Sequence, residues 1–316
     1  MKNGRRGVDM KHIILDVDTG HDDAVAIALA AGLGDEITID GLIATAGNQV
    51  REYTLENTLN LAEALEIEAP VYAGSTGPLL RDRVIAGNIH GKNGFEGPVF
   101  EKRKKKECMG NGISWAVDHV ISHPGEVTFV SVGPWTDLAV CLKSDERFAS
   151  SLKEIVLMGG AVDHPGNVTL SAEFNVFADP EAAEIVLKSG VPITLFSLDV
   201  TLKLLLTEEI LEKVKNLPDT RYKNIFLDSM GYYVPSLIRA NGEMPAMHDP
   251  CTIAYLYDPS IFTYSYRPIS VETKGDKTYG KTVGGKEDSG SNIKMGVSVD
   301  NDKFWALFFK AVKNLV

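Results

Sequence analysis

Short apolar runs recur along the chain, each closed by Gly, Asn or Asp and then followed by apolar residues at helical spacing. The first is Ile13-Ile14-Leu15, which runs through Asp16-Val17-Asp18-Thr19 to Gly20 and into the alanine-rich segment 24–31. A buried strand, a tight turn and a helix are the elements this pattern predicts. Residues 37–45 read as a second strand ending in Ala46-Gly47-Asn48-Gln49, residues 54–65 as a helix, and Pro70-Val71-Tyr72-Ala73-Gly74 as a short strand. Further strands are expected at 127–132, before Gly133-Pro134, at 155–158, before Gly159-Gly160, and at 191–198, before Asp199. Strands alternating with helices predict an α/β fold, a single domain with a mostly parallel central sheet flanked by helices. Every strand end delivers Gly, Asn or Asp to one edge, where open α/β sheets place their sites.

Less regular segments fill the rest. Residues 75–112 are polar and glycine-rich, and a loop of that length inside a compact domain is usually functional or disordered. Residues 113–122 and 251–257 have helical spacing, whereas 269–299 alternates polar and apolar positions and reads as strands or hairpins attached to the main sheet. An amphipathic helix over 302–315 closes the chain, and its Phe304, Trp305, Phe308 and Phe309 stripe suits core or subunit interface better than a ligand box.

Composition narrows the function classes. With 44% apolar and 24% charged residues the chain is ordinary for a globular protein, and no apolar stretch reaches the roughly 20 residues of a membrane span. A formal charge of −11 argues against nucleic acid as a partner. The basic run 102–106 is bracketed by Glu101 and Glu107 and reads as a solvated loop. Three scattered cysteines without CxxC spacing suit a reducing compartment. Residues 1–11 are polar, lack the apolar core of a secretory signal and read as a flexible N-terminal extension, so a cytoplasmic location is expected.

The chemistry concentrates in Asp16, Asp18, Asp22 and Asp23. Carboxylates this close repel, by roughly 4 kcal/mol for a pair at ~4 Å in an effective dielectric of about 20. Helix capping accounts for one or two of them. A hard divalent cation, which prefers oxygen ligands, accounts for all of them. Further along, Asn167, Glu173 and Asn175 precede Asp179-Pro180, and His248-Asp249-Pro250 opens the helical segment at 251. His248 alone suits a structural histidine and Asp249 alone an N-cap; beside a carboxylate-rich site the pair gains weight as proton donor and ligand.

Taken in order, Asp16-Val17-Asp18-Thr19-Gly20-His21-Asp22-Asp23, Gly47-Asn48, His90-Gly91, Gly133-Pro134, Met158-Gly159-Gly160, Asn167, Ala172-Glu173-Phe174-Asn175, Asp179-Pro180 and His248-Asp249-Pro250 resemble the inosine–uridine-preferring nucleoside hydrolases over residues 11–316. The resemblance implies Ca²⁺-dependent hydrolysis of the N-glycosidic bond of ribonucleosides, in a homo-oligomer, commonly a tetramer or dimer. It implies a Ca²⁺ held by Asp18, Asp23, Asp249 and the Val132 carbonyl, with Asp16 in support and Asp18 taking a proton from the attacking water. Asp22, Asn48 and Asn175 would grip the ribose 2′ and 3′ hydroxyls, Asn167 and Glu173 the 5′ hydroxyl, with Phe174 beside them. His90 and His248 would face the base, His248 as its acid, and residues 228–241 would form a mobile flap over it. The family usually has Pro where this chain has Thr19, a change expected to alter turn rigidity more than metal chemistry. His248 suits broad or pyrimidine-leaning members.

Three rival readings remain open on the residues alone, the weakest a DNA-base glycosylase, which the net negative charge disfavours. An apolar strand running into Asp-x-Asp also opens haloacid-dehalogenase-like phosphatases, but Gly20 stands where those want Thr or Val. A catalytically silent ribose- or calcium-binding protein would keep the sugar and metal ligands without needing His248.

Overall fold

The computed structural model describes residues 10–315. Most of the expected extension 1–11 lies outside them, but Lys11 already opens the first strand. In chain order the strands are β1 (Lys11–Val17), β2 (Ile37–Ala44), β3 (Val71–Ala73), β4 (Val127–Ser131), β5 (Glu154–Met158), β6 (Ile193–Phe196), β7 (Phe262–Tyr266), β8 (Ile269–Val271), β9 (Thr282–Gly284) and β10 (Ile293–Val299). Eight of them form one sheet in the order β3-β2-β1-β4-β5-β6-β10-β7. It is parallel except for β7, which pairs antiparallel with β10.

Strands covered on both faces must be apolar on both, and β1 shows how the residues divide. Ile13, Leu15 and Val17 pack into one core with the helices His21–Gly32, Arg221–Asn241, Pro250–Tyr257 and Asn301–Val312. Ile14 points the other way, into a second core with Phe129, Ile155, Leu157 and the helices Gly112–Ser122, Thr136–Ser144 and Pro180–Leu187. The period of two sends Asp16 to that second side as well, where it accepts from Ser131 Oγ at 2.7 Å. Phe304 and Phe308 are buried in the first core, so the C-terminal aromatic stripe serves the fold of the subunit itself.

The chain builds outward from β1 in both directions, through β2 to β3 and through β4 to β6. Between β1 and β4 the direction reverses, and open α/β sheets form their binding crevice beyond the carboxyl ends at that point. The ends of β1 and β4 carry Asp18 and Val132.

Three expectations are corrected. Residues 228–241, expected as a flap, are no loop but the second half of the helix Arg221–Asn241, whose Ser236 Oγ donates to Ile89 O at 2.9 Å. Within 269–299 only β10 joins the main sheet; β8 and β9 pair with each other as a separate two-stranded sheet. The stretch 75–112 contains the short helix Gly87–His90, and its basic run is tied to a neighbouring helix by Arg103 to Glu56 and by the Lys104 and Lys105 backbone N–H groups to Glu63. No helix among the described residues is long and apolar enough to cross a membrane.

Candidate active site

Beyond β1 the backbone turns through Gly20, where an added Cβ would lie 2.7 Å from both Asn48 Nδ2 and His90 Nδ1. Only glycine lets those side chains close over the turn. Asp23, one turn into the helix, accepts from the Gly20 N–H at 2.9 Å and the Asp18 N–H at 3.0 Å, with Asn48 Nδ2 at 3.2 Å. Capping is therefore part of its work, satisfying donors at the helix N-terminus. Asp18 accepts from the Asn48 backbone N–H at 2.6 Å. The capping reading fails for Asp249, whose side chain makes no cap bond.

Oxygens of Asp22, Asp23 and Asp249 lie within 4.8 Å of one another, all three residues buried. Asp22 stands in this group where the sequence reading expected Asp18, which lines the same cavity but is not among the three. Burial first, and the charge of the other carboxylates second, raises the carboxyl pKa values of Asp18, Asp22 and Asp249, that of Asp22 to about 8. Burial raises Asp23 too. Such a set is costly to ionise without a cation, and its oxygen-only donors suit a hard one. The Val132 carbonyl accepts from Asn175 Nδ2 at 2.7 Å and keeps a second lone pair for a further partner. The residues therefore fit a bound divalent cation.

A cavity of about 610 Å³ opens over this cluster. Of the sequence-predicted residues, Asp18, Asp22, Asn48, His90, Val132, Asn167, Glu173, Phe174, Asn175, His248 and Asp249 line it. Asp23 lies beneath, and Asp16 is turned away towards Ser131 and Asp137. Glu173 caps the helix Phe174–Ala178, accepting from Asn175 N at 2.9 Å and Val176 N at 3.2 Å, and also takes Gly160 N at 2.7 Å. Asn167 sits at the mouth, its Oδ1 accepting from Phe174 N at 3.0 Å. Asn175 commits its amide nitrogen to Val132 O and, at 3.2 Å, Met158 O, which leaves its amide oxygen for a ligand hydroxyl.

Two imidazoles line the same cavity. His248 bonds Thr201 Oγ1 through Nδ1 at 2.8 Å, and burial lowers its pKa to about 4. His90 also lines the cavity, its pKa lowered by burial and then by the neighbouring His21 and His248. Two contributors escaped the sequence reading. His21 stacks on Tyr233 with ring centroids 4.6 Å apart and lies 3.0 Å from His90, Nδ1 to Nδ1. Asp137 accepts from Ser75 N at 2.8 Å while burial raises its pKa; its other oxygen, like Asp16 Oδ1 and Thr45 Oγ1, is buried without a hydrogen-bond partner. A histidine beside two aspartates at a helix start was a visible signal for the first; nothing local marks the second.

Comparison with known proteins supplies a family. The family model described as inosine-uridine preferring nucleoside hydrolase matches residues 13–306. The chain is 36% identical over 313 residues to the pyrimidine-specific ribonucleoside hydrolase RihB of Escherichia coli, covering 98% of this chain and 99% of that protein. Among solved structures it is similar to the purine-preferring ribonucleoside hydrolase from Gardnerella vaginalis, with a TM-score of 0.90 and 30% identity over 96% of this chain and 98% of that one. It is also similar to the plant nucleoside hydrolase PpNRh1, with a TM-score of 0.87 and 28% identity over the same shares.

Proposed function

Because the chain belongs to the inosine-uridine preferring nucleoside hydrolase family, we propose that it cleaves pyrimidine ribonucleosides to ribose and free base with a bound Ca²⁺. Hydrolysis of N-glycosyl bonds comes with the family; the metal and the base are our reading. The observation that carries it is one cavity lined by carboxylates, amides and two imidazoles. The pyrimidine preference rests on those imidazoles and on the name of the Escherichia coli relative.

Cleaving the glycosidic bond develops positive charge on the ribosyl ring, and buried anions stabilise it where water would not. Asp22, Asn48 and Asn175 bind the ribose hydroxyls, with Asn167, Glu173 and Phe174 at the far side of the sugar; the grip holds the anomeric carbon in line for attack. Asp18 receives the proton of the attacking water. A Ca²⁺ held by Asp18, Asp23, Asp249 and the Val132 carbonyl, with Asp22 in reach, would offset their charge and acidify that water. Asp16 supports Asp18 from behind, from the end of the strand that leads into it. To act as the acid, His248 carries a hydrogen on both nitrogens, with Nδ1–H donating to Thr201 Oγ1 and Nε2–H meeting the departing base as its proton donor.

Incubation with uridine, cytidine, inosine and adenosine, each with and without phosphate, followed by chromatography of free base and ribose, tests this directly. Phosphate-independent release is expected, fastest for the pyrimidines. Asp18→Asn should lower kcat by about 10²–10⁴ in a folded protein. Binding of Ca²⁺ without release of base from any of them would leave only a ribose- or calcium-binding role.

A further inference from the structure

His21 is buried and faces only rings and one carbonyl. Tyr233 stacks on it, Tyr232 follows at 5.8 Å, and Phe95 meets its edge at 5.5 Å. Its Nε2 lies 2.9 Å from Glu96 O, and its Nδ1 lies 3.0 Å from His90 Nδ1. A carbonyl oxygen only accepts, so Nε2 of His21 carries the hydrogen. In a neutral ring Nδ1 is then an acceptor, and the hydrogen between the two Nδ1 atoms belongs to His90. The same logic continues one atom further: with its hydrogen on Nδ1, His90 keeps a lone pair on Nε2. Among the described residues that nitrogen has no hydrogen-bond partner, and it belongs to a residue lining the cavity. The His21 backbone N–H is 3.5 Å from His90 Nδ1, at the outer limit of a hydrogen bond, and the 3.0 Å contact outweighs it.

We propose that His21 is a positioning residue which, by accepting from His90 Nδ1–H, presents His90 Nε2 to the cavity as an acceptor for a ring N–H of the nucleobase. The inference rests on the nucleoside hydrolase reading and gives the two cavity imidazoles opposite tasks. His248 donates; His90 accepts. Two donors facing one base edge would reject the ring N–H of a uracil-type base, whereas one donor and one acceptor match the alternation of C=O and N–H along it. Specificity of this kind comes from leaving a buried partner unpaired in the wrong complex.

The test combines an activity ratio with a readout independent of activity. Uridine should exceed 3-methyluridine in kcat/KM by about tenfold or more, the size of one well-placed hydrogen bond together with the blocked edge. His21→Phe keeps the stacked ring and removes the acceptor, so most of the hydrogen-bond share of that ratio should vanish, chiefly through KM for uridine. His21→Asn, whose Oδ1 can stand in for the lost Nδ1, should restore it. Nitrogen-15 NMR of the imidazoles should find His90 protonated at Nδ1 in the wild type and shifted towards Nε2 in His21→Phe. A wild-type His90 protonated at Nε2 overturns the proposal, as does a ratio unmoved by His21→Phe. If no nucleoside is turned over, the substrate reading fails instead, and the NMR assignment still decides the role of His21.

Discussion

At the scale of single residues, environment separates side chains that composition leaves equivalent. The aspartates of 16–23 divide by direction: Asp16 into the second core, Asp23 under the turn, Asp18 and Asp22 to the cavity. His248 is expected to matter in proportion to how poor the leaving group is. For His248→Ala, turnover of uridine should fall about 10²–10⁴-fold while an activated nitrophenyl riboside is largely spared; equal losses would remove His248 from proton donation. Asp137 and Asp16 form a second, non-catalytic case. The raised pKa of Asp137 means that the folded state holds a proton the unfolded state has lost, so its contribution opposes stability increasingly as pH rises above the ordinary carboxyl range. Asp137→Asn supplies a permanent donor towards Asp16 and keeps an acceptor for Ser75 N–H. Its melting temperature relative to wild type should therefore climb as pH rises above the ordinary carboxyl range, measured by calorimetry; a pH-independent difference would argue against a shared proton.

At the scale of elements, the helix Arg51–Ala64 braces the acidic turn. Thr58 donates to Thr54 O at 2.7 Å, which makes Thr19 the donor to Thr58 Oγ1, also at 2.7 Å. Asn57 Nδ2 reaches Thr19 O at 3.1 Å, and Thr54 reaches Thr45 O at 2.7 Å. Hydrogen bonds from one helix face thus constrain the turn where proline would do so through its ring. Thr58→Val, nearly the same size, strands the buried Thr19 hydroxyl and should cost about 1–3 kcal/mol in denaturant unfolding, with a fall in kcat because Asp18 adjoins that turn. Unchanged stability and kcat would show that the brace is dispensable. The helix Arg221–Asn241 teaches the complementary lesson. Gly231 and Pro235 each disfavour a helix interior, yet Tyr222, Ile225, Phe226, Met230 and Tyr233 bury one face and carry it through.

At the scale of the whole molecule, metal binding and folding should be linked, because the carboxylates come from β1, the helix that follows it and the start of the helix Pro250–Tyr257. No unfolded chain holds them together. Added Ca²⁺ should raise the melting temperature with its concentration, by the equivalent of about 2.7 kcal/mol at a hundred times Kd, and EGTA should reverse both that shift and the activity. A melting temperature indifferent to Ca²⁺ would leave the carboxylate cluster without its cation. The topology explains why such remote segments meet, since each strand of the parallel sheet delivers its carboxyl end to one edge.

The sequence alone determined the alternation of strand and helix, the parallel sheet, the acidic turn after β1 and the ordered motifs of the family. These follow from local periodicity, from punctuation by Gly, Asn and Asp, and from charges too dense to go uncompensated. Tertiary structure decided what depends on partners distant in the chain. It turned Asp16 away from the cavity, brought Asp22 and Asp23 together with Asp249 and made a helix of residues 228–241. It also placed His21 against His90 and Asp137 against the acidic strand. Hydrogen-bond direction and burial belong to pairs of atoms from different segments, and a reading of one segment at a time contains only one member of each pair.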